Sequence, residues 1–518
     1  MRFAVTSSEM KTCDRNTSEY FGVSSEVLME RASLKVVEHI LSWIENRNCN
    51  RKYKALILCG VGNNGGDGAC IARLLKQNGV QVNVCVVGNY TKCSDLLLKQ
   101  IEILAKYGVS TDTFSHVRDT KSASEFDIIV DAMFGIGLSR PVTGDYAEAI
   151  DYCNDCKSER QNDLLVISVD MPSGINADNG KVMQNAVIAD ETITFNFAKL
   201  GQLLYPGCEY TGKLSIDDVG ITTDSFLGKE PPCFYFDETV KELIPPRRKD
   251  SNKGTNGKVL VIAGSKEISG ACILATSSCL KAGAGMVRVF TASENSDIIR
   301  TSIPEAMVDT YSSEQDITNK LQMLLDWSTA VVLGPGIGTE SIGCFLVKAV
   351  LKLCEKDLVL DADALNIIAS DDQLMKTSAE FARNGKRLII TPHLGEFARL
   401  YKSNIADCKE NMLSYPKELA DKLHCAVVCK DSRTIVADSM GKKKYINLSG
   451  NDGMATAGSG DVLAGIVGAL LSHKMSSFDT ACISVYLHGL AGDRAALEKG
   501  KSNMTASDII NHIGDLLE

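Results

Sequence analysis

The chain predicts an α/β protein of two domains, and three observations carry that expectation. Short apolar runs alternate with helical patterns through both halves, the rhythm of a parallel sheet covered on both faces. A strand-like run, Tyr53 to Cys59, leads into Gly60-Val61-Gly62-Asn63-Asn64-Gly65-Gly66-Asp67-Gly68 and then the helical pattern Ala69 to Gln77. Far downstream, Asn451-Asp452-Gly453-Met454-Ala455-Thr456-Ala457-Gly458-Ser459-Gly460-Asp461 opens onto an apolar helical run, Val462 to Leu471.

In the first half, Ser24-Ser25-Glu26 predicts the cap of a helix from Val27 to about Trp43. Strands are expected at Lys54–Cys59, Gln81–Val87, Asp127–Val130, Leu164–Val169 and Glu191–Phe195, with this domain closing near Gly220. Residues from about Ile221 to Lys249 read as a linker, because Pro231-Pro232 and Pro245-Pro246 break regular structure and periodicity fades. A second series follows at Lys258–Ala263, Met286–Phe290, Ala330–Leu333, Leu358–Leu360, Arg387–Thr391 and Cys425–Cys429. The end is helical over Asp461–Leu471, Thr480–Glu498 and Ala506–Leu517, and no internal repeat is visible.

Composition narrows the function classes. The 518 residues fit two to four domains of roughly 100–200 residues. A net charge of −10 argues against nucleic acid or an anionic membrane as partner, and Arg247-Arg248-Lys249 and Lys442-Lys443-Lys444 are too short to reverse that. No apolar segment follows Met1-Arg2, and no run approaches about 18 apolar residues. Cys153 and Cys156 form a lone Cys-x-x-Cys without a second pair, so the eighteen cysteines read as free thiols. The expectation is a cytoplasmic protein acting on small molecules, as a homo-oligomer.

The motifs sit where ligands bind. Loops that open onto helix N-termini aim unpaired N–H groups and the helix dipole at one point, which suits phosphate. An aspartate at the mouth of such a loop, Asp461, can also take a proton from a substrate hydroxyl. In the first domain Asp131 and Asp170 each end a strand, so Asn64, Asp131, Asp170 and Ser173 are expected on one sheet edge. Their amide, carboxylate and hydroxyl oxygens suit a hard cation; each taken singly also reads as a strand-end cap. In the second domain Gly334-Pro335-Gly336-Ile337-Gly338 reads equally as a tight reversal. Thr391-Pro392-His393-Leu394-Gly395-Glu396 follows a strand and places a histidine at its end. Lys430-Asp431-Ser432-Arg433-Thr434 reads as a β-hairpin turn or a nucleotide grip.

Taken in order, these segments resemble the bifunctional NAD(P)H-hydrate repair family, an epimerase fused to an ADP-dependent dehydratase. Leu28-Met29-Glu30, the Gly62–Gly68 loop, Asp131-Ala132-Met133-Phe134-Gly135-Ile136-Gly137 and Val169-Asp170-Met171-Pro172-Ser173-Gly174 resemble the epimerase. Gly254-Thr255-Asn256-Gly257-Lys258, Ala263-Gly264-Ser265, Gly334–Gly338, Pro392–Glu396 and Gly453–Asp461 resemble the dehydratase.

The resemblance implies a Rossmann-like epimerase domain over 1–220 and a ribokinase-like dehydratase domain over 250–518, joined by 221–249. It implies that Asn63, Asn64, Gly65, Gly66, Asp67, Gly135, Ile136, Gly137, Leu138, Ser139, Arg140, Pro141, Tyr146 and Asp170 contact the hydrated nucleotide. Asn64, Asp131 and Ser173 would hold K+, and Asp170 or its neighbour Lys199 would move protons. In the dehydratase, Ala271, Gly338, His393, Leu394, Gly395, Glu396, Phe397, Ala398 and Arg399 would contact the substrate, with Asp461 catalytic. Lys430, Asp431, Ser432, Arg433, Thr434, Asn451, Asp452, Gly453, Met454, Ala455, Thr456, Ala457, Gly458, Ser459 and Gly460 would hold ADP, with Mg2+ as its cation. Two positions depart from the family pattern. Asp431 stands where glycine is usual and would repel phosphate unless turned outward, and Arg31-Ala32-Ser33 differs at a position read as packing. Two rival functions are a kinase of a small vitamin-precursor alcohol and a nucleotide sensor without turnover.

Overall fold

The computed structural model describes residues 1–47, 51–237, 244 and 249–517. They form two compact units: Phe3–Pro231, and Pro232–Glu518 with Met1 and Arg2.

The first unit holds a parallel sheet. Its strand order is Thr111–Thr113, Gln81–Val86, Lys54–Cys59, Ile128–Ala132, Leu165–Val169, Glu191–Phe195 and Lys213–Asp217. The central strands are buried along their length, as runs covered on both faces must be. The connections reverse direction between Lys54–Cys59 and Ile128–Ala132, and the crevice at such a switch point takes ligands. Pairing sets Leu58 opposite Asp131 and Asp131 opposite Ser168. The glycine loop and Asp131 therefore share one edge. A short parallel pair, Arg2–Val5 with Ala198–Lys199, carries Lys199.

The capped helix extends over Ser25–Asn46, with Ser24 Oγ accepting from the Val27 N–H. The next helix starts earlier than expected, running Asn63–Gln77, so most of the glycine loop is its first turn. Glycine is a poor helix former, but Gly65 has a steric reason: a Cβ there would stand 1.8 Å from the Gly60 carbonyl oxygen. A helix the sequence reading did not include, Ser7–Glu19, begins at a Thr6/Glu9 capping box. Cys153 and Cys156 lie buried on helix Asp145–Arg160.

In the second unit, strands Met307–Tyr311, Met286–Ala292, Lys258–Ile262, Ala330–Leu333, Asp357–Leu360, Leu388–Ile390 and Ala426–Cys429 run parallel in that order. An antiparallel meander, Ile435–Asp438 and Lys444–Ile446, follows; Cys233–Tyr235 then pairs parallel to its last strand. That strand and a 3₁₀ turn, Thr223–Phe226, fall inside the segment expected to be a linker. The expected breaks at Pro245 and Pro246 and the basic pair Arg247 and Arg248 lie outside the described residues. The apolar helix Ser459–Leu471 packs against Gly270–Lys281 and against Ser477–Lys499, with nearly every residue from Val462 onward buried. The expected last helix is shorter, Ala506–Asn511, and is followed by a 3₁₀ turn at Gly514–Leu516. No helix among the described residues is long and apolar enough to cross a membrane.

Candidate active sites

The first unit contains a cavity of about 930 Å³ at the switch point, a size suited to a nucleotide-like ligand. Asn63, Asn64, Asp67, Gly135, Ile136, Gly137, Leu138, Ser139, Arg140, Tyr146 and Asp170 line it. Gly65 and Gly66 are instead buried behind the wall, Gly66 against Met29, and exposed Pro141 is not part of the lining. Phe134 and Tyr146 form a tilted ring pair with centroids 4.4 Å apart. Lys199, only 1% exposed, donates to Asp170 at 2.5 Å and to Thr194 at 2.7 Å. Asp170 itself has φ 66°, a strained left-handed conformation of the kind that clusters at functional sites.

Asp131 is fully buried below this floor. It accepts from the Ser168 hydroxyl, the Ser173 hydroxyl and N–H, and the Met133 N–H. Burial raises its pKa, and the Ser173 hydrogen bonds work against that rise. Ser173 Oγ in turn accepts from the Phe134 N–H, tying the Gly135 loop to this network. Asn64 and Asp170 meet beside Gly135: a Cβ there would stand 3.3 Å from Asp170 Oδ2 and 3.6 Å from Asn64 Oδ1. The Asn64 amide nitrogen is buried with no hydrogen-bond partner. Ser33, at the position read as packing, donates to the Asp67 carbonyl.

Sequence reasoning missed one wall of the cavity. Helix Ser7–Glu19 contributes Met10, Lys11, Asp14, Arg15, Ser18 and Glu19. Its signal was the Thr6-Ser7-Ser8-Glu9 capping box, which marks a helix start in an otherwise polar stretch.

In the second unit the strand ends converge. Lys430 Nζ donates to Asp361 Oδ1 at 2.9 Å, and the Thr391 hydroxyl donates to the same oxygen at 2.7 Å. Lys430 opens the hairpin turn between Ala426–Cys429 and Ile435–Asp438, as the turn reading of that loop expects. The Lys430 N–H bonds to the Pro392 carbonyl, which sets His393 beside it. Gly338 N–H donates to Asp363 at 2.9 Å, and Arg399 reaches Asn366 at 3.0 Å. Gly336 packs beside Ala271.

His393 caps helix Leu394–Tyr401. Its Nδ1 accepts from the Gly395 N–H, and Glu396 bonds back to the His393 N–H. An imidazole whose Nδ1 accepts a main-chain bond carries its proton on Nε2, which lies 3.3 Å from Glu396 Oε1. Burial and the Lys430 and Arg399 charges lower the His393 pKa, so the ring is neutral. Burial raises the Glu396 pKa to about 7, against the pull of Lys430.

The phosphate-like loop faces this group. Gly458 caps helix Ser459–Leu471 at φ +88°, and a Cβ there would stand 2.3 Å from Leu274. Glycine alone permits that backbone at that distance. Lys430 Nζ lies 3.3 Å from where a Cβ on Gly460 would stand, so the ammonium sits at the anion hole. Asp461 follows in the first turn and is half-buried. Burial and Asp361 raise its pKa to about 6, partly offset by Lys430. No hydrogen bond or ion pair of its side chain occurs among the described residues; Lys430 pairs with Asp361 instead. Upstream, Asn451 holds Gly453 N–H and Asp493, and Met454 packs against Gly492. Asp452 is drawn to exposed Lys501 at 2.7 Å. Asp361 and Asp363 were also missed; their position after strand Asp357–Leu360 repeats the strand-end pattern of Asp131 and Asp170.

A glycine-loop cavity in one α/β unit and a carboxylate at an anion hole in the other define a two-site enzyme of nucleotide chemistry. A family model of NAD(P)H-hydrate dehydratase matches residues 259–514, and one for the YjeF-related protein N-terminus matches 25–201. The chain is 36% identical to bifunctional NAD(P)H-hydrate repair enzyme Nnr of Thermofilum pendens, over 98% of this chain and 94% of that protein. It is 35% identical to the enzyme of the same name from Escherichia coli K12, over 88% and 83%. A solved ADP/ATP-dependent NAD(P)H-hydrate dehydratase from Bacillus subtilis, co-crystallised with ATP/Mg2+, is 24% identical over 54% of this chain and 96% of that one, with a TM-score of 0.46. The chain belongs to the bifunctional NAD(P)H-hydrate repair enzyme family.

Proposed function

We propose that the chain repairs NADH and NADPH that have gained water across the nicotinamide ring, epimerising the R and S hydrates and dehydrating the S form at the expense of ADP. The observation that carries the chemistry is Asp461, unpaired at the mouth of the Gly458–Gly460 anion hole with a cation, Lys430, beside it. Epimerisation is assigned to residues 1–220 and dehydration to 250–518.

The substrate hydroxyl on ring carbon 6 is a poor leaving group. Asp461 takes its proton as the oxygen attacks the terminal phosphoryl of ADP, and AMP departs. Main-chain N–H groups of the Gly458–Gly460 turn and Lys430 stabilise the charge on the transferring group. The ring nitrogen then expels phosphate, and loss of a proton from the adjacent carbon restores NAD(P)H. Among the described residues no group of three His, Cys, Asp or Glu side chains is assembled as a metal site. Mg2+ would enter with the phosphates of ADP and would supply neutralisation of charge on the transferring group. The neutral His393, fixed by Gly395 and Glu396, offers an uncharged ring face to the substrate.

In the first unit K+ fits the donor set. Asn64, Asp131 and Ser173 supply hard oxygens, the ligand type that suits such a cation. A cation there would fix the two loops around the cavity and offset the cost of burying Asp131. Exchange of potassium for sodium is expected to slow epimerisation; an unchanged rate removes the potassium assignment. The seventeen described cysteines are free, which we take with a reducing, cytoplasmic setting. We also infer that the chain works as a homo-oligomer.

The test of the whole reading is a mixture of R and S hydrates supplied with ADP. Complete recovery of reduced-nicotinamide absorbance, with one AMP per molecule restored, is expected. A stable phosphorylated product would instead favour a kinase, and binding without turnover a sensor.

A further inference from the structure

Epimerisation has to break and remake a bond at carbon 6, so one group must give a proton and another must take one. Asp170 is the acceptor the cavity presents: it is ion-paired with Lys199 at 2.5 Å and lines the ligand space. The residue that could give a proton is less obvious. Lys199 is occupied by Asp170 and Thr194 and is 1% exposed.

Asp14 lines the same cavity from helix Ser7–Glu19, an element separate from the strand ends that carry Asp170 and Lys199. Among the described residues, no hydrogen bond or ion pair holds its carboxyl. We propose that Asp14 is the general acid of the epimerase site, working against Asp170 as the base; this rests on the epimerase assignment made above.

The surroundings of Asp14 hold its proton to a higher pH than an exposed carboxyl would. Burial and the nearby Asp170 carboxylate raise its pKa to about 6, with Lys199 opposing. Asp67, on helix Asn63–Gln77, is likewise raised, by burial first and then by Asp170 and Asp14. Lys11 and Arg15 on the same helix and Arg140 also line the cavity, and none of them is paired with Asp14. Asp170 is ion-paired with Lys199 while Asp14 has no partner among the described residues, so the two carboxyls stand in different environments, the arrangement that divides acid from base.

Asp14 gives its proton to the carbon 6 hydroxyl, the C–O bond breaks with its electrons leaving on water, and the ring nitrogen lone pair forms the N=C bond. Water adds to the opposite face of carbon 6, its electron pair making the new C–O bond while the N=C electrons return to nitrogen. Asp170 takes the proton released. One proton has passed from Asp14 to Asp170, and exchange with solvent resets both. The adjacent carbon keeps its proton, so no NAD(P)H forms and no ADP is needed.

The test uses the full chain. Asp14→Asn is expected to slow interconversion of the R and S hydrates by about a hundredfold or more, the usual contribution of a positioned acid. It should remove the fall in epimerisation rate expected of the wild type as pH rises through about 6. Asp14→Glu, which keeps a carboxyl, should restore part of the rate and the pH dependence. ADP-dependent dehydration of purified S hydrate should be unchanged in both variants, and hydrate binding to the first unit should persist in Asp14→Asn. Epimerisation by Asp14→Asn within a few-fold of wild type, with its pH profile intact, overturns the assignment of Asp14. So does equal loss in Asp14→Asn and Asp14→Glu with no change in profile, because that marks a packing role. A wild-type chain that fails to epimerise would overturn the epimerase reading itself.

Discussion

Single residues carry the proposed chemistry, and Asp461, the proposed base, is the clearest case. As a general base it must be ionised, so log kcat for dehydration is expected to fall by about one per pH unit below pH 6, where burial and Asp361 set its pKa. A Lys430→Met variant removes the one cation that lowers this pKa, so the acid limb should move to higher pH, beyond any loss in ADP affinity. Activity that stays flat from pH 7 to pH 5 would exclude Asp461 as the base. Its place in the first helical turn after the glycine loop was legible, because the loop and the apolar run that follows mark that helix start. Asp361 was not, because a strand-end aspartate becomes informative only when the fold delivers Lys430 and Thr391 to it. Asp431 joins this list of partial readings. It holds the turn through its carbonyl, which accepts from Thr434.

At the scale of elements, buried strands were easy to find and edge strands were not. Lys54–Cys59, Glu191–Phe195 and Ala330–Leu333 lie where expected, since strands covered on both faces are buried almost throughout and read as runs rich in apolar and β-branched residues. Lys213–Asp217 and Met307–Tyr311 were missed: each sits at a sheet edge, is partly exposed and mixes polar with apolar residues. Their ladders come from neighbours, which a local pattern does not contain. The same limit applied to helix starts, where glycine content hid a first turn at Asn63. The anion hole depends on one such element end. Gly458→Ala should strain the left-handed cap by about 1–2 kcal/mol and push against Leu274, weakening ADP binding at least tenfold in calorimetry. Unchanged affinity would mean the turn does not hold phosphate. Helix Ser25–Asn46 is tied to the sheet by His39, which bridges Glu191 at 3.0 Å and Asp217 at 2.9 Å. Its bond to Glu191 raises the His39 pKa above 6.5. The stabilisation is therefore complete below about pH 6.5 and lost as pH climbs through the folded-state value. Thermal unfolding of His39→Gln should show a deficit against wild type that is largest near pH 6 and shrinks by pH 9. A deficit that does not vary with pH would count against a charged bridge.

For the whole molecule, two chemistries on one chain make sense only if the hydrate forms arise as a mixture. With an R and S mixture and ADP, an Asp170→Asn chain should restore the S share rapidly and then stall, while wild type proceeds to completion. A variant that proceeds like wild type would detach epimerisation from the first unit. The pairing of two different α/β units was legible, because each half carries its own glycine loop on its own strand series. The wall formed by helix Ser7–Glu19 was not, since its residues are polar and only the folded cavity gathers them. The most direct measurement is AMP release by full-length Asp461→Asn at saturating ADP and S hydrate. The account predicts a rate at least a hundredfold below wild type with ADP still bound; AMP released at the wild-type rate would contradict it.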